Sequence, residues 1–147
     1  TARSRGLGDV YKRQPAAGES SARCEWDPRL KEMHFGHWEM RPWREIPEAD
    51  RQHWLDNVED HPIPGGESFG AVAKRAREAY RGLRARLLGP NGPRHAVVVT
   101  HGGAIRTLLA EAMGCSLRQA LTLEVDYGGV TRIDLAAERT RIAYVNR

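Results

Sequence analysis

Val97-Val98-Val99-Thr100-His101-Gly102-Gly103 puts polar residues where an apolar run ends. The run Ala96–Val99 does not alternate with polar residues, the pattern of a strand covered on both faces, as in a parallel sheet. Ile105, Leu108, Leu109 and Ala112 then recur at helical spacing, so a helix opens near Gly103 and ends at Gly114. Open α/β sheets bind ligands at such strand-to-helix junctions. The helix start offers unpaired amides and the positive end of a dipole, and two glycines let an anion approach the backbone. His101 could give that anion a hydrogen bond or a positive charge, and phosphate is the obvious candidate. A plain helix cap with a glycine turn fits the same residues.

A second group lies in Leu30-Lys31-Glu32-Met33-His34-Phe35-Gly36-His37-Trp38-Glu39. Carboxyls partly withdrawn from water have raised pKa values and can act as general acids, which makes Glu32 and Glu39 candidates. The alternative is that Phe35 and Trp38 pack in a core while both carboxylates stay solvated. His34 and His37 stand three residues apart with no third ligand nearby, so no metal is expected.

The elements that must position these groups follow from punctuation and period. A helix remnant over Pro15–Ala22 and a short strand over Arg23–Trp26 precede the Asp27-Pro28 turn. A helix is expected to open at Pro42, and Pro62-Ile63-Pro64-Gly65-Gly66 is a break. Ser68 caps a long helix whose stripe is Phe69, Val72, Ala73, Ala76, Tyr80, Leu83 and Leu87, stopping near Gly89-Pro90. Ser116 to Gln119 fits a capping box, and Gly129–Leu135 with Arg141–Val145 reads as a hairpin around Ala136–Thr140. Together these argue an α/β layer fold with helices against a central sheet.

With 147 residues the chain has room for one core. Hydrophobic content of 40% and 29% charged residues are ordinary for a globular protein, and the longest apolar run, Ala96–Val99, is too short to span a membrane. No secretory signal is recognisable, so the cytoplasm is the default location. Cys24 and Cys115 sit in no ligand spacing and are expected as free thiols. The net charge of +4 is concentrated at one end: Arg3, Arg5, Lys12 and Arg13 against Asp9 leave only +1 beyond Gln14. Residues 1–14 lack periodicity and are set apart as a foreign or disordered segment, with the domain running from 15 to 147.

Taken in order, Leu30-x-Glu32-x-x-Phe35-Gly36-x-Trp38-Glu39, Pro64-Gly65-Gly66-Glu67-Ser68 with Arg75, and Thr100-His101-Gly102-Gly103 resemble the histidine phosphatase superfamily, the phosphoglycerate-mutase-like enzymes. The α-ribazole phosphatase branch, of cobalamin biosynthesis, is the nearest in pattern. The resemblance implies a three-layer α/β/α fold and phosphomonoester hydrolysis without metal or cofactor, through a phosphohistidine on an Arg-His-Gly motif at the end of the first strand. It implies that Glu32 is the general acid, that His101 is the second histidine contacting the phosphoryl group, and that Gly102 contributes backbone there. Glu67 and Ser68 mark a structural loop. The implied partner is a small phosphate ester, with neither nucleic acid nor membrane.

The chain departs from that pattern. No Arg-His-Gly tripeptide occurs, and Arg94-His95 is followed by Ala96 and enters a strand rather than leaving one. The second phosphate-binding arginine, expected just before Pro15, is missing too, and Met40 stands where a glycine commonly follows Trp-Glu. The expectation is an N-terminally truncated domain, lacking its first strand and the segment after it, inactive by itself and prone to self-association. A broader small-molecule phosphatase or mutase, and a non-catalytic phosphate-binding module, remain as alternatives. A nucleic-acid binder is the third, suggested by Arg75, Arg77, Arg81, Arg84 and Arg86 on the long helix.

Overall fold

Asp27 accepts a hydrogen bond from the Arg29 amide and so starts a single 3-10 turn, Pro28–Leu30, with proline at its first position. This computed structural model describes residues 25–147. The expected Pro15–Ala22 helix and most of the Arg23–Trp26 strand lie outside that range, and Glu25 and Trp26 are irregular. Further 3-10 turns follow at Gly36–Trp38 and Trp43–Glu45.

The helix expected from Pro42 starts later. Pro42 precedes only the Trp43–Glu45 turn, and helix α1 runs Glu48–Asp56 after Pro47. Pro47 holds the preceding Ile46 extended, at φ −80° and ψ 130°, which breaks the helical path. Helix α2 spans Phe69–Leu88, its Ser68 hydroxyl accepting from the Ala71 amide, and stops at Gly89 before Pro90 as the sequence indicates. Helix α3 spans Gly102–Met113, and helix α4, Leu117–Leu121, opens on a complete Ser116–Gln119 capping box. No helix among the described residues is long and apolar enough to cross a membrane.

Strands β1, Arg132–Leu135, and β2, Thr140–Tyr144, pair antiparallel with Ile133 opposite Ile142, confirming the hairpin with shorter strands. Val130 and Arg147 exchange two further backbone hydrogen bonds below it. The hairpin is tied to α2, whose Arg84 donates to the carbonyls of Ala136 and Ala137.

One core joins Met33, Trp38, Ile46, Trp54, Val58, Ile63, Phe69, Val72, Ala73, Ala110, Leu117 and Ala120. It binds the loop region before α2 to α2, α3 and α4. Trp38, Trp43 and Trp54 meet edge to face with ring centroids about 6 Å apart, so these aromatics pack on one another.

The Ala96–Val99 strand is a correction. The segment belongs to no sheet, and Val97, Val98 and Val99 are 91%, 38% and 71% exposed. A strand covered on both faces needs neighbours; among the described residues the only sheet is the hairpin, so the valines stand uncovered. The helices have the same gap: Tyr80, Leu83 and Leu87 of α2, and Ile105, Leu108 and Ala112 of α3, are only half-buried, while Ala104, Thr107, Leu109 and Ala110 form the buried side of α3. An extended apolar edge of this kind favours association between copies. Size-exclusion chromatography should therefore show apparent mass rising with concentration, and Val97→Lys with Val99→Lys should abolish the rise; a wild-type monomer at all concentrations would contradict this.

Candidate functional site

His101 occupies the N-cap of α3 with extended backbone, φ −118° and ψ 166°, yet its side chain makes no capping hydrogen bond. The Thr100 hydroxyl is committed elsewhere, donating 2.6 Å to the carbonyl of Leu30. Neither side chain accepts a capping hydrogen bond from the helix, although the His101 carbonyl accepts from the Ile105 amide at 2.9 Å. One amide of the first turn of α3 faces Glu32 instead: the Gly103 nitrogen lies 3.5 Å from its Oε2. A Cβ on Gly103 would meet the same carboxylate, so a side chain there would push the flexible Glu32 away from the helix start. Oε1 of Glu32 accepts from the amide of Met33 at 2.9 Å. Glu32, His101 and Gly102, separated by some 70 residues of chain, thus converge on one helix terminus, where the dipole favours negative charge.

The other members of the Leu30–Glu39 segment disperse. Trp38 is buried and Phe35 packs against the core. Glu39 accepts from the Phe35 amide at 3.1 Å and closes its own loop. His34 and His37 are exposed, and the His37 ring lies beside Gly65. Met40 has a left-handed backbone, φ +61°, with its side chain 65% exposed. The conformation explains why glycine suits that position. It costs an L-residue on the order of 1 kcal/mol. Met40→Gly should raise the denaturation midpoint by a corresponding amount, and an unchanged or lowered midpoint would count against this account.

Arg75 is the residue whose part went unread in the sequence. Its guanidinium uses all five donors: Nε and Nη2 to the two oxygens of Glu67 at 3.2 Å each, Nη1 to the carbonyls of Arg29 at 2.8 Å and Lys31 at 2.7 Å, and Nη2 to that of Glu32 at 3.1 Å. The available signal was its position, one turn after Val72 and beside Ala76 on the buried side of α2, where an arginine needs partners. Glu67 also accepts from the His34 amide at 2.9 Å.

Burial pushes the Glu67 carboxyl up, but the Arg75 guanidinium and the His34 amide outweigh it, leaving its pKa below the ordinary 4.5. A carboxyl lowered on folding adds stability that is present above the unfolded value and lost as pH falls through the folded one. Wild type should therefore lose stability below pH 4.5 more steeply than Glu67→Gln in urea titrations, and parallel curves would refute it.

The remaining arginines of α2 are engaged within the molecule. Arg77 and Arg81 face Glu111, Arg84 holds the hairpin, and Arg86 pairs with Glu25. Among the described residues no three His, Cys, Asp or Glu side chains gather as a metal site would.

The sequence profile of the Histidine phosphatase superfamily (branch 1) matches residues 13–147. The chain belongs to this superfamily. As a histidine phosphatase superfamily domain it is 30% identical over 122 residues to the adenosylcobalamin/alpha-ribazole phosphatase of Escherichia coli, covering 81% of this chain and 58% of that protein. The alpha-ribazole phosphatase structure from Shigella flexneri superposes with a TM-score of 0.63 at 27% identity, covering 82% of this chain and 59% of the other. A mycobacterial glucosyl-3-phosphoglycerate phosphatase in complex with VO3 gives 0.66 at 28%, covering 82% and 63%. Other relatives carry the names phosphoserine phosphatase and phosphoglycerate mutase. The superfamily domain spans under three fifths of the length of the curated relatives it matches. These likenesses bear out the phosphoglycerate-mutase-like α/β fold expected from the motifs.

Proposed function

We propose that this chain supplies the acid and phosphate-binding part of a phosphomonoester hydrolase whose substrate is α-ribazole-5'-phosphate or a similar small phosphate ester. One observation carries the reading: the Glu32 carboxylate lies against Gly103 at the start of α3, next to His101. The ester phosphate would sit on the amides of Gly102 and Gly103, with the imidazole of His101 donating to a non-bridging oxygen as negative charge accumulates. Glu32 would give its proton to the bridging oxygen as the O–P bond breaks, so the alcohol leaves neutral. In that chemistry the phosphoryl group passes to the ring nitrogen of a histidine in an Arg-His-Gly tripeptide, which this sequence lacks, before water releases it.

The missing tripeptide favours one other reading, a phosphate-binding module without turnover. No nucleic-acid partner is proposed, since the α2 arginines are occupied and the chain beyond Gln14 is nearly neutral.

Titration with orthophosphate or vanadate followed on the ring resonances of His101 tests the site. Saturable shifts that vanish in a Gly103→Pro variant are expected. Unmoved resonances would reject both the hydrolase and the binding-module readings.

A further inference from the structure

Four consecutive carbonyls, those of Arg29, Leu30, Lys31 and Glu32, are all held by side chains from elsewhere in the chain. Arg75 of α2 takes the first, third and fourth, and Thr100, immediately before α3, takes the second. The arginine is fixed in turn by both oxygens of Glu67, and its side chain is only 14% exposed. The one side chain of this stretch that reaches the α3 terminus is Glu32.

We infer that Arg75 and Thr100 are positioning residues that hold the Glu32 carboxylate over Gly103, an inference that rests on the proposed role of Glu32. A guanidinium is suited to the task because its planar donors reach three carbonyls and a carboxylate at once, whereas an ammonium offers three donors around a point. Thr100 couples the two halves of the site directly, since it adjoins His101 in sequence and holds the loop that carries Glu32. Either tie lost, the carboxylate leaves the terminus while the helix and its amides remain.

The test uses the full chain and sulfate, a dianion that does not itself titrate in the working range. A carboxylate held over the terminus repels the anion until it is protonated, so sulfate affinity should rise as pH falls, and Glu32→Gln should remove that component. Asp27, Arg29, Lys31, His34, Glu67, Arg75, His101 and Arg106 are other charged or titratable groups on the surrounding elements, and the Glu32→Gln profile carries their contribution. Thr100→Val and Arg75→Lys should flatten the profile toward that of Glu32→Gln, and Thr100→Ser, which restores a hydroxyl, should return the wild-type shape. Should Arg75→Lys fail to fold, the Thr100 pair decides alone.

Profiles for Thr100→Val and Arg75→Lys that match wild type, while Glu32→Gln differs, would overturn the positioning role and leave the site intact. Sulfate binding that is indifferent to His101→Asn would overturn the site itself, and the positioning role with it.

Discussion

The purified chain is expected to hydrolyse a small aryl phosphate on the order of 10⁶-fold more slowly than a relative that carries an Arg-His-Gly tripeptide, the scale of loss when a catalytic nucleophile is removed. The physical reason is specific. In the proposed reading Glu32, His101 and the amides at the start of α3 bind the phosphate and protonate the leaving oxygen, while the phosphorus–nitrogen bond that divides the reaction into two easier steps belongs to the histidine of the Arg-His-Gly tripeptide that the sequence lacks. His101→Ala should lower what turnover is left only slightly, because residues that act as a unit lose most of their effect once one member is absent. Turnover equal to that of the relative would show that another histidine has taken over the nucleophile's place.

The second large effect is structural. Gly36→Ala should destabilise the chain by about 3 kcal/mol, from a left-handed backbone costing 1–2 kcal/mol and a backbone displacement costing a similar amount. Gly36 has φ +49°, and a Cβ there would strike the Pro64 carbonyl oxygen, with Gly66 nitrogen 2.5 Å and Gly65 carbon 2.6 Å away. Two loops meet backbone to backbone at this point: His37 donates to the Pro64 carbonyl at 2.9 Å and Glu67 to that of His34 at 2.9 Å. Yielding there would also displace Glu67, the partner of Arg75, so the loss should be cooperative. Urea unfolding of the variant within 1 kcal/mol of wild type would mean the loops have room that the structure denies them.

What could be read from the sequence is what local chemistry decides. The Ser68 cap, the Gly89-Pro90 stop and the Ser116–Gln119 box act within a few residues, and the structure has them where the sequence indicates. Pro42 misled because a second proline five residues later resets the backbone, and α1 begins only after it. The valine run records an environment rather than a conformation: its β-branched residues are suited to a covered strand, but the covering chain is not among the described residues. For the site, His101 and the glycines could be singled out by their place after an apolar run. The approach of Glu32 to Gly103, 71 residues away, has no period or spacing to betray it and was available only through the resemblance. Arg75 has no role that its spacing from Pro64–Ser68 reveals, since a saturated guanidinium depends on three carbonyls no side-chain pattern encodes.

The triangle of Trp38, Trp43 and Trp54 has an optical consequence. Three indoles within about 6 Å of one another, at interplanar angles of 72–83°, share their excitation, which gives the folded chain a circular-dichroism couplet near the indole bands. Because the three rings come from the Gly36–Trp38 turn, the Trp43–Glu45 turn and α1, that signal reports the closure of these pieces on one another, independently of the helical content measured further into the ultraviolet.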